Sequence, residues 1–275
     1  MKRPQNVSFL ERGIRSLVDS NDKAYRLRVL MSNVVVGQFL RGGVVRGGTS
    51  MKLRYGAATT RFTMDFDVAR NVGLELFMEE FSKRLEEGWC EFTGVVVKVQ
   101  GKHPRGVPME YVMHPYDIKL QYRGHPWCTV RLEVSYDEIG DADVADETTV
   151  PNELANAFAA LGFPKPNPIP LMTIPYQIAQ KLHGLTEPGS LRVQDLVDLQ
   201  LIVENEALDF VAIRSVCARL FANRQMQPWP SKVSKNEVWD DLYDAARQGI
   251  PGVRGIDDAV SWINGFIGKI DAAQN

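Results

Sequence analysis

The sequence predicts an α+β protein in two parts, an N-terminal mixed sheet with helices and a C-terminal helical part. Three observations lead to this prediction. Alternating and β-branched stretches are concentrated between residues 62 and 136, as in strands. The proline-rich segment Pro164–Pro170 then interrupts regular structure. Beyond it, apolar residues recur at helical spacing. Since 275 residues can form two domains, we predict domains 1–163 and 164–275.

The N-terminal segment predicts helices and one buried strand. Residues 8–32 carry apolar residues at helical spacing and predict one or two amphipathic helices. Residues 32–40 either extend the second helix or form a strand. The Val-Val pair at 44–45 indicates a buried strand that leads into a Gly-Gly turn at 47–48, and residues 50–55 then predict a short helix.

The middle of the chain predicts most of the sheet. Residues 62–68 alternate as a strand does, and residues 71–87 place apolar side chains on one helix face. Three more strands are predicted over Phe92–Gln100, Tyr111–Tyr122 and Thr129–Tyr136, with turns at Gly101–Pro108 and Arg123–Pro126. Asp137–Thr149 reads as a solvated acidic loop, and Pro164–Pro170 as the connection to the second part. Helices follow at 175–185, 194–204, 210–222, 236–248 and 256–271.

Charge distribution limits the classes of partner. The net charge is only −2, but residues 1–61 carry 12 Lys and Arg against 3 Asp and Glu, a net +9. Such a region indicates either contact with phosphates or a basic, solvated helical surface. The three cysteines fit no zinc pattern or disulfide framework and predict small buried side chains in a reducing cytoplasm. We expect no membrane span, because no stretch approaches about 18 apolar residues.

The first candidate site is the run Gly47-Gly48-Thr49-Ser50. Glycines allow close backbone approach, and the two hydroxyl side chains add donors at a helix start. Backbone N–H groups in such a turn bind phosphate oxygens. The same run is also an ordinary way to begin a helix, so the motif by itself leaves both interpretations open.

A pair of carboxylates follows the glycine turn. On a strand, Asp65 and Asp67 point to one face, where they would suit a Mg²⁺ ion that carries a triphosphate. They could instead lie on the solvent-exposed face of a half-buried strand, but the preceding turn favours the metal site. Glu133 could add a third carboxylate as a base, unless it forms a salt bridge with Arg131.

The C-terminal half contains a second charged group. Asp195 and Asp198 are three residues apart, on one helix face. Lys181 can neutralise phosphate charge as a mobile ammonium, and Asp195 could orient it. The alternative for Asp195 is a carboxylate favoured by the helix dipole at an N-terminus.

These motifs, in this order, resemble the AbiEii/AbiGii-type nucleotidyltransferase toxins, including the mycobacterial tRNA-modifying toxins. The family pattern is Gly-Gly-[Thr/Ser], then Arg-x-[Ser/Thr]-x-Asp-x-Asp, then Lys-Leu, then Arg-x-Lys-Asp-x-x-Asp. The corresponding residues here are 47–50, 61–67, 181–182 and 192–198. Gln194 departs from the pattern, because the family usually has Lys there.

The resemblance implies a bilobed fold with a polymerase-β-like N-lobe and a helical C-lobe. It implies Mg²⁺ held by Asp65 and Asp67, with Lys181 and Asp195 as further catalytic residues. Nucleotide-binding residues implied in the same way are Gly47, Gly48, Thr49, Ser50, Arg61, Thr63 and Arg192. Glu133 and Asp198 are additional candidates.

The resemblance also implies a function. The protein would be a toxin that transfers a nucleoside monophosphate from an NTP to an RNA acceptor, the tRNA 3′ end in the mycobacterial members. It implies a separately encoded antitoxin, and some members are silenced by phosphorylation of the hydroxyl residue at the Thr63 position. Two alternatives stay open: a protein or small-molecule acceptor, and a non-catalytic nucleotide- or RNA-binding module. The basic N-terminal region favours RNA, and two retained carboxylates argue against the module.

Overall fold

The computed structural model describes residues 2–101, 112–250 and 252–274 and has the predicted α+β class. The strands are β1 (Gly43–Arg46), β2 (Phe66–Arg70), β3 (Phe92–Lys98), β4 (His114–Tyr122), β5 (His125–Tyr136), β6 (Ala145–Thr148) and β7 (Ile169–Met172). The helices are α1 (Val7–Ser16), α2 (Asn21–Gln38), α3 (Gly47–Tyr55), α4 (Leu74–Glu87), α5 (Asn152–Ala160), α6 (Ile174–Thr186), α7 (Gln194–Asn205), α8 (Phe210–Arg224), α9 (Trp239–Arg247) and α10 (Ile256–Asp271).

The seven strands found in the described residues form one mixed sheet in the order β3-β4-β5-β2-β1-β7-β6. β1 and β2 are antiparallel, with Arg46 opposite Asp67. β2 and β5 are parallel, with Asp67 beside Glu133. The register therefore brings two of the predicted carboxylates to neighbouring positions near the middle of the sheet.

The chain divides into two compact units. Unit 1 comprises residues 1–57 and 62–172, and unit 2 comprises residues 58–61 and 173–275. Unit 1 contains the sheet, and the regular structure described in unit 2 is helical. The functional domains 1–163 and 164–275 stay a prediction, since they were drawn from the proline-rich segment rather than from packing.

Side chains cap the beginning of three helices. Asn6, Ser20 and Asp209 each accept a hydrogen bond from the backbone N–H three residues later, at 3.0, 3.2 and 2.9 Å. Each bond satisfies one of the N–H groups that a helix start leaves unpaired, a contribution of about 1 kcal/mol. These polar residues fix where α1, α2 and α8 begin.

The ambiguous segment 32–40 belongs mostly to helix α2. Every residue from Leu30 to Gly37 is buried, so this half of the helix is apolar nearly all round, as buried helices are. A continuous apolar run does not distinguish such a helix from a buried strand. Burial inside unit 1 therefore explains why the sequence left two alternatives.

Two predicted boundaries near the glycine turn were wrong. Helix α3 begins at Gly47 rather than Ser50, so the glycines form its first turn. Strand β2 covers Phe66–Arg70 instead of residues 62–68. Asp65 therefore lies just before the strand, because the residues of β2 that pair with β1 and β5 begin at Phe66.

The interval after β5 contains more regular structure than predicted. Strand β6 lies within the expected acidic loop, and β7 includes Pro170 from the segment that the sequence predicts to be an irregular connection. Pro170 is tolerated because β7 is short and its registered pairing with β1 is a single pair, Val45 with Leu171. The predicted turn Gly101–Pro108 lies outside the described residues apart from Gly101.

Asp141, in the loop after β5, makes the stability of the folded protein depend on pH. Its side chain is fully buried, and burial raises its pKa to about 7, against the opposing charge of Arg46. The unfolded value is about 3.9, so between these values the folded chain binds more protons. Stability should therefore fall as pH rises from about 4 to about 7. We expect Asp141→Asn to remove this decline and to raise the Tm at neutral pH. Parallel Tm profiles for the two proteins would contradict the assignment.

Candidate active site

In unit 1, the predicted glycine turn and one predicted aspartate meet directly. Gly47 begins α3 with φ +67°, and a Cβ on it would collide with the Asp67 carboxylate. Position 47 therefore requires glycine for two reasons, its left-handed backbone and its contact with the carboxylate. The carboxylate lies against the beginning of a helix, where unpaired N–H groups and the helix dipole favour negative charge.

The two hydroxyl side chains of the turn make internal bonds. Thr49 and Ser50 are fully buried. The Thr49 hydroxyl donates to the backbone carbonyl of Asp65 at 2.5 Å, and the Ser50 hydroxyl donates to the carbonyl of Gly47 at 2.8 Å. Thr49 thus ties the α3 start to the segment that carries Asp65. Phosphate binding by this turn would use backbone N–H groups, and it stays a prediction.

Three carboxylates lie on or beside two neighbouring strands. Asp65 is exposed just before β2, Asp67 is half-buried within β2, and Glu133 is the register partner of Asp67 on β5. Arg131 Nε lies 3.7 Å from Glu133 Oε1, so the salt bridge weighed as an alternative is present in weak form. In the chain outside residues 102–111 and 251 and the two terminal residues, no group of three His, Cys, Asp or Glu could hold a metal.

In unit 2, five predicted side chains form one network. Lys181 Nζ on α6 lies 2.9 Å from Asp195 Oδ1 and 2.6 Å from Asp198 Oδ2, both on α7. Arg61 Nε lies 3.2 Å from Asp198 Oδ1, and Arg192 Nε lies 2.8 Å from Asp195 Oδ2. Three cations thus surround two carboxylates, which leaves one net positive charge.

Burial makes this network rigid. Burial alone would raise the pKa of Asp198, but the charges and hydrogen bonds of Lys181 and Arg61 hold that pKa below its usual value. The Lys181 side chain is only 4% exposed, so the predicted mobile ammonium was wrong for this conformation. The Arg192 side chain is 52% exposed and gives the network its most accessible charge.

Gly184 on α6 leaves room for the Arg192 side chain. A Cβ at residue 184 would lie 2.8 Å from Arg192 Nε, so the guanidinium passes over a helix surface that has no side chain there. Ser190 supports the same turn, because its hydroxyl donates to the Gly184 carbonyl at 2.6 Å and accepts the Arg192 N–H at 3.1 Å. These contacts aim Arg192 at Asp195.

Comparison with known families shows which family the chain belongs to. The family model of AbiEii nucleotidyl transferase toxins, of type IV toxin-antitoxin systems, matches residues 29–262. The chain belongs to the AbiEii family. It is therefore a nucleotidyltransferase of a toxin family, and the family implies a nucleotide substrate and an antitoxin partner. The resemblance drawn from the motifs is confirmed.

Two solved structures are similar to this chain at low sequence identity. MenT4, a nucleotidyltransferase toxin from Mycobacterium tuberculosis H37Rv, matches with a TM-score of 0.53 and 14% identity over 97% of this chain and 98% of MenT4. JHP933 from Helicobacter pylori matches with a TM-score of 0.44 and 16% identity over 92% of this chain and 96% of JHP933. A search of curated proteins gave no match. At this identity, the likeness to MenT4 shows the fold.

Two polar residues of the candidate site in unit 1 were not predicted from the sequence. Asn33 Nδ2 donates to the Thr49 hydroxyl at 3.4 Å from inside helix α2. Lys52 is 4% exposed, and its Nζ donates to the Thr63 carbonyl at 3.3 Å and lies 4.3 Å from the centre of the Phe62 ring. A polar residue within an apolar helical run is the signal that would have indicated Asn33.

The described helices give no membrane span. None of them, within 2–101, 112–250 and 252–274, combines the length and apolarity that crossing a bilayer needs.

Proposed function

We propose that this AbiEii-family enzyme transfers a nucleoside monophosphate from an NTP to RNA, with Mg²⁺ as cofactor and the tRNA 3′ end as the acceptor. The observation that carries the proposal is the contact between Gly47 and Asp67. A helix start suited to phosphate and a carboxylate suited to a metal lie side by side there.

The donor set fits Mg²⁺. This ion usually keeps several waters and takes one or two carboxylates together with substrate phosphates. Asp65 and Asp67 would supply the carboxylates, so a cluster of three acidic side chains is not required. Bound Mg²⁺ would neutralise triphosphate charge and orient the attacking and leaving oxygens.

The chain's own residues would position the reactants. The first backbone N–H groups of α3, at Gly48, Thr49 and Ser50, would bind the triphosphate. An acceptor hydroxyl would then attack the α-phosphorus, forming a P–O bond as the bond to pyrophosphate breaks. Glu133, beside Asp67 in the sheet, would take the hydroxyl proton. Most of the acceleration would come from positioning and charge stabilisation.

The unit 2 network supports a role in phosphate neutralisation. Its net positive charge is best exposed at Arg192, a residue type that binds phosphate through two parallel hydrogen bonds. In this proposal Lys181 acts through its neighbours, because its ammonium donates hydrogen bonds to two buried carboxylates. Arg61 would contribute in the same indirect way.

The RNA acceptor is supported by the charge of the N-terminal region. Residues 1–61 have a net charge of +9, and phosphate contacts supply much of the affinity for nucleic acids. Arg12 and Arg15 on α1 contribute to this charge, whereas Lys23 and Arg26 on α2 are paired with Asp19 and Asp22. We expect RNA capture to weaken steeply with salt.

Label transfer tests the proposal. The protein would be incubated with Mg²⁺ and each α-labelled NTP, beside total tRNA, cell protein and small-molecule fractions, with parallel reactions in EDTA. We expect label in tRNA alone, dependent on Mg²⁺, and one preferred nucleotide. Label in the protein or small-molecule fraction instead would show that the acceptor is not RNA. Label transferred in the presence of EDTA would contradict the metal site.

Three further expectations stay predictions from the family resemblance. They are silencing by phosphorylation at Thr63, the mode of antitoxin action and a cytoplasmic location. Thr63 is half-buried, and its backbone carbonyl accepts the Lys52 hydrogen bond. A phosphate there would adjoin a buried cation, which favours its binding.

A further inference from the structure

Asn33 is a buried asparagine in the apolar half of helix α2. It is only 1% exposed and lies within the buried run Leu30–Gly37. Its Nδ2 donates to the Thr49 hydroxyl at 3.4 Å, whereas its Oδ1 is buried and, in the described part of the chain, accepts no hydrogen bond. Such an unpaired acceptor costs about 1–3 kcal/mol. Stability alone therefore does not explain an asparagine at this position.

The Thr49 hydroxyl determines which end of the Asn33 amide faces it. A hydroxyl has one hydrogen, and Thr49 donates that hydrogen to the backbone carbonyl of Asp65 at 2.5 Å. Thr49 can therefore meet Asn33 only as an acceptor, so the amide nitrogen faces it. Two hydrogen bonds thus run in series from Asn33 through Thr49 to the backbone of Asp65, and bonds in series strengthen one another.

The bond from Asn33 turns the Thr49 hydroxyl away from its own helix. Hydroxyl side chains in helices often bond the carbonyl three or four residues earlier. Ser50, the next residue of α3, does so with the carbonyl of Gly47 at 2.8 Å. Because Asn33 donates to the Thr49 oxygen, it favours the rotation in which the Thr49 hydrogen points to Asp65.

Asp65 depends on such a bond more than Asp67 does. Asp67 lies inside β2, where register partners on β1 and β5 hold its backbone on both sides. Asp65 is exposed and precedes the first of the β2 pairs, at Phe66. The position of Asp65 relative to Asp67 therefore rests on contacts outside the sheet, and the Thr49 bond is made to its backbone.

The two residues before Asp65 are held in the same way by side chains of α2 and α3. The Tyr25 hydroxyl donates to Met64 Sδ at 3.1 Å, and Lys52 Nζ donates to the Thr63 carbonyl at 3.3 Å. Side chains of two helices thus determine where the chain enters β2.

We infer that Asn33 is a positioning residue of the metal site: through Thr49, it holds Asp65 where Asp65 and Asp67 bind the same Mg²⁺ ion. The inference rests on the proposed metal site and adds to it a residue that belongs to no motif. Mg²⁺ demands near-ideal octahedral geometry, so a displaced carboxylate binds it poorly. Hydrogen-bond partners that orient metal ligands typically contribute about 10–100-fold to metal affinity or activity.

The test uses two substitutions of Asn33 that should change stability in opposite directions. Asn33→Leu removes both the donor and the unpaired oxygen, and a cavity of about 70 Å³ that Asn33 helps to line leaves room for the leucine. Its Tm should equal or exceed that of the wild type. Asn33→Ala removes the same donor but leaves a void, so its Tm should fall. The matched control is Ser32→Ala, because the buried Ser32 hydroxyl donates to the Val29 carbonyl within α2 at 2.7 Å.

Binding of Mn²⁺ to the full-length proteins, followed by electron paramagnetic resonance, measures metal affinity without catalysis. The Mg²⁺ dependence of label transfer measures it during catalysis. We expect both Asn33 variants to bind Mn²⁺ about tenfold more weakly and to need about tenfold more Mg²⁺ for half-maximal transfer, whatever their Tm. Ser32→Ala should match the wild type. In a Thr49→Val background, Asn33→Leu should cause no further loss, because Asn33 acts through Thr49.

Unchanged metal dependence in both Asn33 variants would overturn the inference. Losses that follow Tm, present in Asn33→Ala and absent in Asn33→Leu, would also overturn it, as would additive losses in the double variant. Asp65→Ala separates the inference from the proposed function. If Asp65→Ala abolishes Mn²⁺ binding while the Asn33 variants retain it, the inference alone fails. Mn²⁺ binding that does not depend on Asp65 would remove the proposed metal site, and the positioning role with it.

Discussion

Asp67→Asn should abolish nucleotide transfer, with a loss of about a thousandfold or more, while the fold stays intact. The substitution keeps the shape of the side chain but removes the charge beside the α3 start, and metal-assisted charge stabilisation contributes several kcal/mol to such reactions. Asp65→Ala should have a comparable effect on transfer with little effect on stability, because Asp65 is exposed. Initial rates with α-labelled NTP and thermal unfolding measure the two quantities.

Two companion variants make this prediction specific. Asp117→Asn changes a carboxylate on β4 of the same sheet, where it pairs with Lys119 at 3.1 Å, and should leave transfer unchanged. Gly47→Ala keeps both aspartates but adds a Cβ that collides with the Asp67 carboxylate, so transfer should fall sharply. Full activity of Asp67→Asn would remove the metal site from this account.

Lys181→Met should destabilise the protein by about 3–5 kcal/mol, the usual cost of removing one partner from a buried ion pair. The ammonium bonds both Asp195 and Asp198, and neither carboxylate is more than 1% exposed at its side chain. Without it, Arg61 and Arg192 would have to compensate both charges. Chemical denaturation gives the free energy of unfolding for comparison with the wild type.

Lys235→Met is the matched control. Lys235 Nζ also bonds two aspartates, at 2.7 Å to Asp240 and 3.1 Å to Asp257, but Asp257 is 84% exposed at its side chain. Solvent screens such pairs, so the loss of stability should be far smaller. If Lys181→Met unfolded like the wild type yet lost transfer, the mobile phosphate-binding lysine predicted from the sequence would be correct after all.

The sequence predicted the class of fold and most elements well where periodicity was clear. The five helices described in unit 2 lie within a few residues of their predicted spans, because apolar residues recur at helical spacing along each of them. Strands β6 and β7 were missed for opposite reasons. Strand β6 is acidic and half-exposed, so it reads as a loop. Strand β7 contains Pro170, and proline is rare inside strands.

The sequence also predicted some features of the candidate site and missed others. The order of the motifs selected four candidate residues, Gly47, Asp67, Lys181 and Asp195. In the structure, Gly47 lies against Asp67, and Lys181 donates a hydrogen bond to Asp195. Sequence could not reveal that Lys181 is buried between two carboxylates, because burial depends on the packing of α6 on α7.

The measurement that tests the central claim most directly is label transfer to the RNA 3′ end. Total tRNA would be divided, and half would be oxidised with periodate, which destroys the terminal 2′,3′-diol. Both halves would then receive α-labelled NTP, Mg²⁺ and the protein. The account predicts label in the intact tRNA and none in the oxidised tRNA. Equal label in both halves, or label in neither with other acceptors labelled, would contradict it.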